Sequence, residues 1–303
     1  MKALVVGYGS IGSRHTRLLK DIGCETAVVS SREIDVPGRY PSIAVALDSA
    51  GPEYVVIANE TNRHFETVAE LAGLGFDGLV LVEKPLFHTY MHLPGHKFKQ
   101  LLVAYNLRFH RIIEKLYSVI KSEKILTAQA YVGQYLPDWR PSVDYKRSYS
   151  ASAAEGGGVL RDLSHELDLL NWLLGGWVRL TAIGGHYSKL EITSDDVFAV
   201  LMVAQKCPIV TLQMNYMERR TRRVININTD SCSIEADLVG CTLSIDGKLE
   251  KIEMEKDHTY RTMHQAVLNG EFGRLCSVDE AMDVMHMIQA AEESAKHQVW
   301  MSR

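Results

Sequence analysis

The feature that most constrains the fold is a glycine loop near the start of the chain. Residues 3–6 read Ala-Leu-Val-Val, an apolar run typical of a buried strand, and Gly7–Gly12 follows with the spacing G-x-G-x-x-G. A helix is predicted from about Ile11 to Leu19. A strand, such a loop and a helix, in that order, are typical of the first βα turn of a dinucleotide-binding domain. We therefore predict an α/β fold that begins with a doubly wound parallel sheet of the Rossmann type.

Each residue of the loop has a mechanical reason to contact a dinucleotide. Gly7 permits the tight turn out of the strand, Gly9 lets the backbone approach a pyrophosphate, and Gly12 allows the helix to pack closely on the strand. The first helical residues, Ser10 and Ile11, direct backbone N–H groups and the positive end of the helix dipole toward the phosphates. We predict that these five residues bind the cofactor.

The end of the second strand bears on the choice between NAD and NADP. Two hydroxyls and a guanidinium follow the apolar run there, at Ser30, Ser31 and Arg32. Sites that prefer NAD place a carboxylate at this point, about 20 residues past the glycines, to bind the ribose 2′-hydroxyl. Hydroxyls and an arginine suit a 2′-phosphate instead. We favour NADP over NAD, and the alternative is that Glu33 or Asp35 reaches the ribose.

A lysine follows another buried strand. The apolar run Gly78–Val82 leads into Glu83, Lys84 and Pro85. Because ligands of doubly wound sheets bind outside the carboxyl ends of the strands, Lys84 is predicted to stand near the reactive end of the dinucleotide. Glu83 and Lys84 are both expected to contact the cofactor. Further cofactor contacts are expected after the strand at 54–58, from Asn59, Thr61, Asn62 and His64.

The second half of the chain has a different character. The βα alternation ends with a sixth strand near 101–105. Helices are predicted near 109–121, 158–174, 258–269 and 278–296, and β-rich segments at 125–134, 180–185, 197–204, 209–216, 224–228 and 233–245. Strands without intervening helices indicate an α+β domain with a largely antiparallel open sheet. The predicted domains are residues 1–106, which bind the dinucleotide, and residues 107–303, which bind substrate and form the oligomer.

Composition excludes several classes of protein. The net charge is −4, which gives no reason to expect nucleic acid or an anionic membrane as a partner. No apolar stretch approaches membrane-spanning length, and the first strand leaves no room for a signal peptide. Five cysteines without C-x-x-C spacing are typical of reduced thiols, not of disulfides or a metal site. We expect a cytoplasmic protein without a metal.

The ordered combination of motifs resembles the Gfo/Idh/MocA family of NAD(P)-dependent oxidoreductases. Four pieces carry the resemblance: Gly7–Gly12 with Arg14-His15, Val56–Ala58 with His64, Glu83–Pro85, and Gly156–Asp168. Residues 103–110 and 136–141 are further similar to a branch found among bacterial surface-sugar biosynthesis members. The resemblance implies hydride transfer between a nicotinamide and a carbinol or carbonyl carbon of a sugar, including a nucleotide-linked or surface-glycan precursor. Lys84 would then touch both the nicotinamide ribose and the substrate, and Glu83 would orient Lys84 or the nicotinamide side.

The reaction also needs a proton acceptor, which is expected within Gly156–Asp168. Asp162 and His165 are three residues apart and share a face of the predicted helix, so the carboxylate can hold the imidazole that accepts the proton. The common family spacing from aspartate to histidine is one residue longer. An ungapped match therefore places Glu166 at the base position, whereas a one-residue deletion places His165 there and keeps Trp172 in register. We favour His165, with Asp162 as its partner.

Substrate contacts are expected beyond the sixth strand and in the polar, aromatic loop of residues 135–157. The candidates are Asn106, Arg108, Trp139, Tyr145 and Tyr149. A surface or dimer-contact loop is the alternative for 135–157. A homodimer or homotetramer is predicted through the C-terminal sheet, because its strands carry more apolar residues than one buried face requires. The alternatives to a dehydrogenase are redox-cycled glycoside cleavage or epimerisation on the same fold, and a non-catalytic dinucleotide-binding sensor or scaffold.

Overall fold

The computed structural model describes residues 1–30, 36–140 and 144–303. The helices α1–α8 are Ser10–Asp21, Ile43–Ala50, His64–Gly73, Arg111–Ile120, Val159–Asp162, His165–Leu173, His258–Asn269 and Val278–His297. The strands β1–β16 are Lys2–Val6, Glu25–Val29, Arg39–Tyr40, Tyr54–Ile57, Leu79–Val82, Gln100–Val103, Ile125–Gly133, Trp177–Gly185, Val197–Ala204, Cys207–Asn215, Arg222–Thr229, Ser233–Asp237, Thr242–Ile245, Lys248–Lys251, Cys276–Ser277 and Met301–Ser302.

The described chain divides into two compact units. The first contains Met1–Phe109 and Asp257–Met282, and the second contains His110–Lys256 and Asp283–Arg303. The sequence-based division placed residues 257–282 with the C-terminal half. In the structure they join the first unit, because Met263 and Val267 of α7 are buried in the same apolar core as the residues of β1, β4 and β5.

The first unit is built on a seven-stranded sheet in the order β15-β6-β5-β4-β1-β2-β3. The pairs from β3 to β6 are all parallel, and every residue of β4 and β5 is buried. Continuous burial of both strand faces explains why these strands read as unbroken apolar runs. The order from β3 to β6 is that of a doubly wound nucleotide-binding sheet, with its switch point between β1 and β4.

A short strand from the C-terminal part of the unit completes this sheet. Residues 88–99 contain no helix, and β6 lies next to β15, with which it pairs antiparallel through Val103 and Cys276. An unpaired strand edge exposes a row of backbone N–H and C=O groups that promotes wrong pairing. The pairing with β15 therefore satisfies the backbone at the edge of β6.

The second unit holds a nine-stranded sheet in the order β14-β13-β12-β11-β7-β10-β9-β8-β16. Only β7 and β10 run parallel among its neighbouring strands, so the prediction of a largely antiparallel sheet is confirmed, as is the predicted fold class. Two details differ. The predicted strand 233–245 is the hairpin β12–β13, and the predicted helix 158–174 is interrupted between α5 and α6, where Leu163 has φ −101° and ψ 23°.

The two faces of this sheet differ in their surroundings. Along β9, Phe198, Val200 and Met202 point into the core, where α5 packs against β9 and β10. The opposite face carries Leu201, 41% exposed, together with Ile183 and Ile209, which are 74% and 52% exposed. Alternation along each strand thus sends one apolar set inward and leaves a second apolar set on the surface of the single chain.

Candidate active site

The glycine loop between β1 and α1 is crowded at two glycines and open at the third. Gly7 has φ +98°, and a Cβ added there would lie 2.5 Å from the backbone nitrogen of Asn59. A Cβ on Gly12 would lie 2.1 Å from the carbonyl oxygen of Gly7, whereas one on Gly9 would meet nothing within 4 Å. The first two glycines are therefore required by the fold, and the space in front of Gly9 can be occupied by a ligand.

The start of α1 faces this open space. Gly9 is the N-cap of α1, a helix of 12 residues, and no side chain caps it. The N–H groups of the first turn, including those of Ser10 and Ile11, thus have no side-chain acceptor at the cap, and the positive end of the helix dipole adds to their attraction for anions. An uncapped helix start behind a Cβ-free backbone fits a pyrophosphate.

The residues predicted to choose between NAD and NADP follow β2 in the sequence. Ser30 is buried directly after the strand. Ser31 and Arg32 fall outside the described residues, and so do the alternative ribose ligands Glu33 and Asp35. The preference for NADP stays a prediction.

The loop after β4 supplies the next group of predicted cofactor contacts. The amide of Asn59 donates to the hydroxyl of Thr67 in α3 across 2.8 Å. Thr61 and Asn62 lie in a single 3-10 turn that leads into α3. This arrangement fixes the start of α3 at the carboxyl end of β4, which is the edge of the sheet where ligands of this fold bind.

His64 links that loop to the segment that follows β5. Its ring is buried, and Nδ1 lies 3.1 Å from the carbonyl oxygen of Pro85 and 3.2 Å from that of Leu86. Burial lowers the pKa of His64, which keeps the ring neutral at physiological pH. His64 was predicted to contact the cofactor, and in the structure its ring holds the backbone just beyond Lys84.

Lys84 directly follows β5 beside a buried carboxylate. The backbone N–H of Glu83 donates to the carbonyl of Ile57 across 2.8 Å, which extends the pairing of β4 and β5 by one residue. Oε2 of Glu83 accepts the backbone N–H of Lys84 at 3.2 Å, and Oε1 lies 2.8 Å from Nε2 of His15. Glu83 therefore contacts the Lys84 backbone, consistent with the orienting role expected of it.

Two residues behind Glu83 carried no signal in the sequence. Nδ1 of His15 lies 2.8 Å from Nε2 of His264 in α7, and Nδ1 of His264 lies 3.0 Å from the hydroxyl of Tyr54 in β4. All three side chains are buried. His15 belongs to a motif that carries the family resemblance, but residue 264 is almost 250 positions away along the chain, and Tyr54 reads as an ordinary strand residue. The three-dimensional structure alone brings them together.

In the second unit, Asp162 is held by tyrosines. The hydroxyl of Tyr216, just after β10, donates to Oδ2 of Asp162 across 2.6 Å. The negative charge of Asp162, burial and a hydrogen bond to the carboxylate together raise the pKa of Tyr149. Tyr149 is predicted to contact substrate, and in the structure it lies beside Asp162. Tyr216 was missed, because its sequence neighbours resemble any strand end.

His165 and Glu166 begin α6, and both are buried. Oε1 of Glu166 lies 2.7 Å from Nε of Arg223 in β11, so the two side chains form an ion pair. The Glu166 side chain is only 1% exposed. Glu166 is matched to a fixed positive charge, as a structural carboxylate would be.

The candidates for substrate recognition lie in both units. In the first, the amide of Asn106 donates to the hydroxyl of Thr259 across 2.6 Å, and the buried guanidinium of Arg108 pairs with Glu280 at 3.0 Å. Both side chains are thus engaged within their own unit. These two contacts alone do not indicate that the Asn106 amide or the Arg108 guanidinium binds a ligand.

In the second unit, Trp139 and Tyr145 line one small cavity together with Leu136, Arg140, Ser148 and Ser150. The ring of Trp139 stands edge-on to that of Tyr216 with centroids 5.3 Å apart, and the hydroxyl of Tyr145 accepts the backbone N–H of Glu191. Through Tyr216, Trp139 is therefore adjacent to Asp162. The structure brings three predicted residues together here: Trp139, Tyr149 and Asp162.

Metal clusters and membrane-spanning helices are both absent from the described residues. No cluster of three or more His, Cys, Asp or Glu side chains with the geometry to hold a metal ion occurs in residues 1–30, 36–140 and 144–303. In the same ranges no helix has the length and apolarity to cross a bilayer.

The structure defines a class by its fold: one α/β unit has the doubly wound sheet typical of dinucleotide-binding domains, and the other has an open, mostly antiparallel sheet. Residues 113–235 match the family model of the GFO/IDH/MocA C-terminal domain. The second unit therefore carries a domain of the Gfo/Idh/MocA family, and the resemblance predicted from the sequence is confirmed. A comparison with curated protein sequences gives no match.

Solved structures with the same fold include three that cover nearly the whole chain. An oxidoreductase from Agrobacterium radiobacter in complex with NAD+, L-tartaric acid and magnesium is 17% identical, with a TM-score of 0.81 and coverage of 100% of this chain and 98% of that one. UDP-N-acetylglucosamine 3-dehydrogenase from Acidithiobacillus ferrooxidans is 18% identical, with a TM-score of 0.77 and 98% coverage of both chains. Levoglucosan dehydrogenase in complex with NADH is 14% identical, with a TM-score of 0.84 and coverage of 100% and 98%.

Proposed function

We propose that this chain is an NAD(P)-dependent oxidoreductase that transfers a hydride between the nicotinamide and a carbinol or carbonyl carbon of a sugar or sugar derivative. The observation that carries the proposal is the position of Lys84. It follows β5 in the same parallel sheet whose β1–α1 loop has open space at Gly9. A lysine at the carboxyl edge of such a sheet can place positive charge beside an alkoxide that develops near the bound cofactor.

The cofactor would be held by the groups that the fold leaves open to it. Gly9 and the first turn of α1 would bind the pyrophosphate, and the loops after β2 and β4 would bind the adenosine ribose and the nicotinamide half. When bound, the nicotinamide would accept or supply the hydride. We favour NADP because Ser30, Ser31 and Arg32 suit a 2′-phosphate, although the related structures contain NAD+ or NADH.

His165 is the better candidate for the proton acceptor. A neutral imidazole can take the proton of the substrate hydroxyl near pH 7. Glu166 is engaged by Arg223, so protonating it would break a buried ion pair and leave Arg223 without its partner. Asp162, held by the hydroxyl of Tyr216, would stabilise the imidazolium.

The substrate class is proposed from chemistry and from the related enzymes. Trp139 and the tyrosines near Asp162 offer aromatic faces and hydroxyls, which suit the apolar and polar sides of a sugar ring. Two structures with the same fold are enzymes named for UDP-N-acetylglucosamine and levoglucosan. A free or nucleotide-linked sugar is therefore the substrate to try first.

The proposed function is tested by nicotinamide absorbance at 340 nm with a panel of free, anhydro and nucleotide-linked sugars. We expect at least one of these sugars to be oxidised while NADP+ or NAD+ is reduced, and we expect Lys84→Ala to lose this activity. Product analysis separates net oxidation from glycoside cleavage or epimerisation, in which the cofactor is regenerated. Tight cofactor binding without turnover on any panel member, unchanged by Lys84→Ala, would favour a sensor or scaffold instead.

We also propose that the chain forms a homodimer or homotetramer through the sheet of the second unit. Ile183, Leu201 and Ile209 share the uncovered face of that sheet, and burying them against a second copy would remove their apolar surface from water. Light scattering at micromolar protein should give at least twice the chain mass, and Leu201→Asp should lower it. A monomeric mass for the unaltered protein contradicts the proposal.

A further inference from the structure

Four buried side chains of the first unit form a continuous series of hydrogen bonds that ends beside Lys84. The hydroxyl of Tyr54 lies 3.0 Å from Nδ1 of His264, whose Nε2 lies 2.8 Å from Nδ1 of His15. Nε2 of His15 lies 2.8 Å from Oε1 of Glu83, and Oε2 of the same carboxylate accepts the backbone N–H of Lys84. The series joins β4, α7, α1 and the end of β5.

Tyr54 fixes the direction in which these bonds donate. Among the described residues, Nδ1 of His264 is the one hydrogen-bond partner of the Tyr54 hydroxyl, and this side chain is fully buried. Burial raises the pKa of Tyr54 well above its usual range, so the hydroxyl keeps its proton. Burial also lowers the pKa of His264 well below its usual range, so that ring is neutral. The tyrosine hydroxyl must therefore donate to Nδ1 of His264.

The tautomers of both histidines follow from that first step. A neutral His264 that accepts at Nδ1 carries its proton on Nε2 and donates it to Nδ1 of His15. His15, accepting at Nδ1, donates from Nε2 to Oε1 of Glu83. Every polar atom in the series then has a partner of the right kind, which buried polar networks require.

We infer that Tyr54, His264 and His15 are positioning residues that hold the Glu83 carboxylate in one orientation and, through it, the backbone at Lys84. A glutamate side chain has several rotamers and a broad terminal torsion, so a fixed donor on Oε1 is needed to keep Oε2 on the Lys84 N–H. The catalytic consequence rests on the proposed function, whereas the hydrogen-bond series does not.

The surroundings of the series restrict what can disturb it. The ring of Tyr260 stands edge-on to His15 with centroids 5.4 Å apart, and Arg14 lies over the Tyr260 ring. Arg14 is paired in turn with Asp257. Besides His264, two titratable groups act on Tyr54, the thiol of Cys24 and the carboxylate of Glu83, and both raise the pKa of the tyrosine. No carboxylate other than Glu83 is in hydrogen-bond contact with either histidine within the described part of the chain.

The direction of donation can be measured on the full chain without cofactor. Long-range 15N–1H spectra report which ring nitrogen carries the proton, and His15→Gln and His264→Gln assign the signals. We expect both rings as Nε2–H tautomers at pH 7. A ring in the Nδ1–H form, or a doubly protonated His264 at that pH, would overturn the assignment.

The positioning role is tested by hydrogen exchange of the Lys84 amide. In Tyr54→Phe the series loses its first donor, so exchange at Lys84 should become roughly 3- to 10-fold faster, the effect of one lost hydrogen bond. Amides of Val56 and Val80 in the same sheet report general loosening. Tyr131→Phe, which removes a hydroxyl bonded to Glu218 in the second unit, is the matched control and should leave Lys84 unchanged. An unchanged Lys84 rate in Tyr54→Phe overturns the inference.

A pair of substitutions separates positioning from packing. In His264→Gln the amide can accept from Tyr54 and donate to His15, so exchange at Lys84 should stay as slow as in the unaltered protein. His264→Leu fills similar space without polar atoms, so exchange at Lys84 should be faster. Equal rates in the two variants would reduce the residue to a packing role. If His264→Leu does not fold, Tyr54→Phe decides the question.

Catalysis gives an independent arm. If the proposed function holds, Tyr54→Phe should lower kcat about 10-fold and leave the KM for the cofactor unchanged, because the glycine loop is intact. A protein with the expected tautomers and exchange rates but without dehydrogenase activity contradicts the proposed function alone.

Discussion

The hydroxyl of Tyr216 lies 2.6 Å from Oδ2 of Asp162, so a residue just past β10 donates a short hydrogen bond to a buried carboxylate at the end of α5. Burial and the charge of Asp162 raise the pKa of Tyr216 well above its usual range, which keeps the donor proton in place. The carboxylate is thus fixed by a residue that directly follows β10, independently of the helix that carries it.

Tyr216→Phe should therefore destabilise the protein and weaken catalysis together. A hydrogen bond to a charged group contributes about 1.5–3 kcal/mol, and the free energy of unfolding in urea should fall by that amount. Tyr131→Phe removes a hydroxyl that bonds the partly exposed carboxylate of Glu218, and this variant should lose less stability. Equal losses of stability in the two variants would mean that the hydrogen bond to Asp162 contributes no more than the bond to Glu218.

Substitutions at two glycines of the loop should affect folding and cofactor binding separately. Gly12→Ala places a methyl group against the carbonyl of Gly7, so its melting temperature should drop by several degrees. Gly9→Ala meets open space and should fold normally but bind NADPH at least about 10-fold more weakly, because the methyl group occupies the position of the pyrophosphate. Fluorescence titration and thermal unfolding measure the two effects. Normal NADPH affinity in Gly9→Ala would contradict the predicted position of the pyrophosphate.

Arg32→Ala should discriminate between the two cofactors. If its guanidinium meets a 2′-phosphate, the variant should lose about 1.5–3 kcal/mol of affinity for NADPH and little for NADH. Both affinities can be measured by titration of nicotinamide fluorescence. Equal losses for NADPH and NADH would rule out recognition of the phosphate, and tighter binding of NADH by the unaltered protein would favour Glu33 or Asp35 as the ribose ligand.

His165→Ala and Glu166→Gln should fail in different ways. The histidine variant should keep its stability and lose turnover by roughly 10²–10⁴, the usual contribution of a general base. The glutamine variant leaves Arg223 without its charge partner and should lose stability, toward the low end of the roughly 3–5 kcal/mol of a broken buried pair because Arg223 is partly exposed. If Glu166→Gln abolishes turnover while His165→Ala does not, the ungapped alignment is right.

The free energy of unfolding should depend on pH through the buried carboxyl of Asp195. Burial raises the pKa of its carboxyl from 3.8 to about 6. An acid whose pKa is higher in the folded state favours folding most when protonated, so the contribution of Asp195 to stability is complete below about pH 4 and is lost as pH rises through about 6. Asp195→Asn should be more stable than the unaltered protein by up to about 3 kcal/mol at pH 7.5, with the difference vanishing near pH 4. Urea unfolding across this range gives both values, and a constant difference would show that Asp195 does not titrate as described.

The local elements could be predicted because each is encoded by a short stretch of sequence. The glycine loop, the apolar run before Lys84 and the β-rich second half all follow from periodicity and turn chemistry. The break between α5 and α6 was not foreseen, since Leu163 and Ser164 are compatible with a continuous helix. It depends on packing contacts that come from distant segments.

The partners of the site residues were harder to predict for the same reason. Glu83 and Asp162 were identified from their motifs, but the groups that hold them, His264 and Tyr216, lie far away in sequence. Nothing local distinguishes a histidine in α7 that faces a buried network from one that faces solvent. The ion pair of Glu166 with Arg223 likewise joins two segments, α6 and β11, that are distant in the sequence.

Residues 257–282 belong to the first unit although they come late in the chain, and this order has a consequence for biosynthesis. A ribosome that has made residues 1–109 has produced six strands of the parallel sheet, but the edge partner β15 and the core residues of α7 are still untranslated. The first unit can close only after almost the entire chain has emerged, whereas most of the other sheet is complete by residue 251. During translation the nascent chain therefore carries an open β6 edge for the time needed to add about 170 residues, roughly 10–30 s at ordinary elongation rates, and would benefit from a chaperone that shields it.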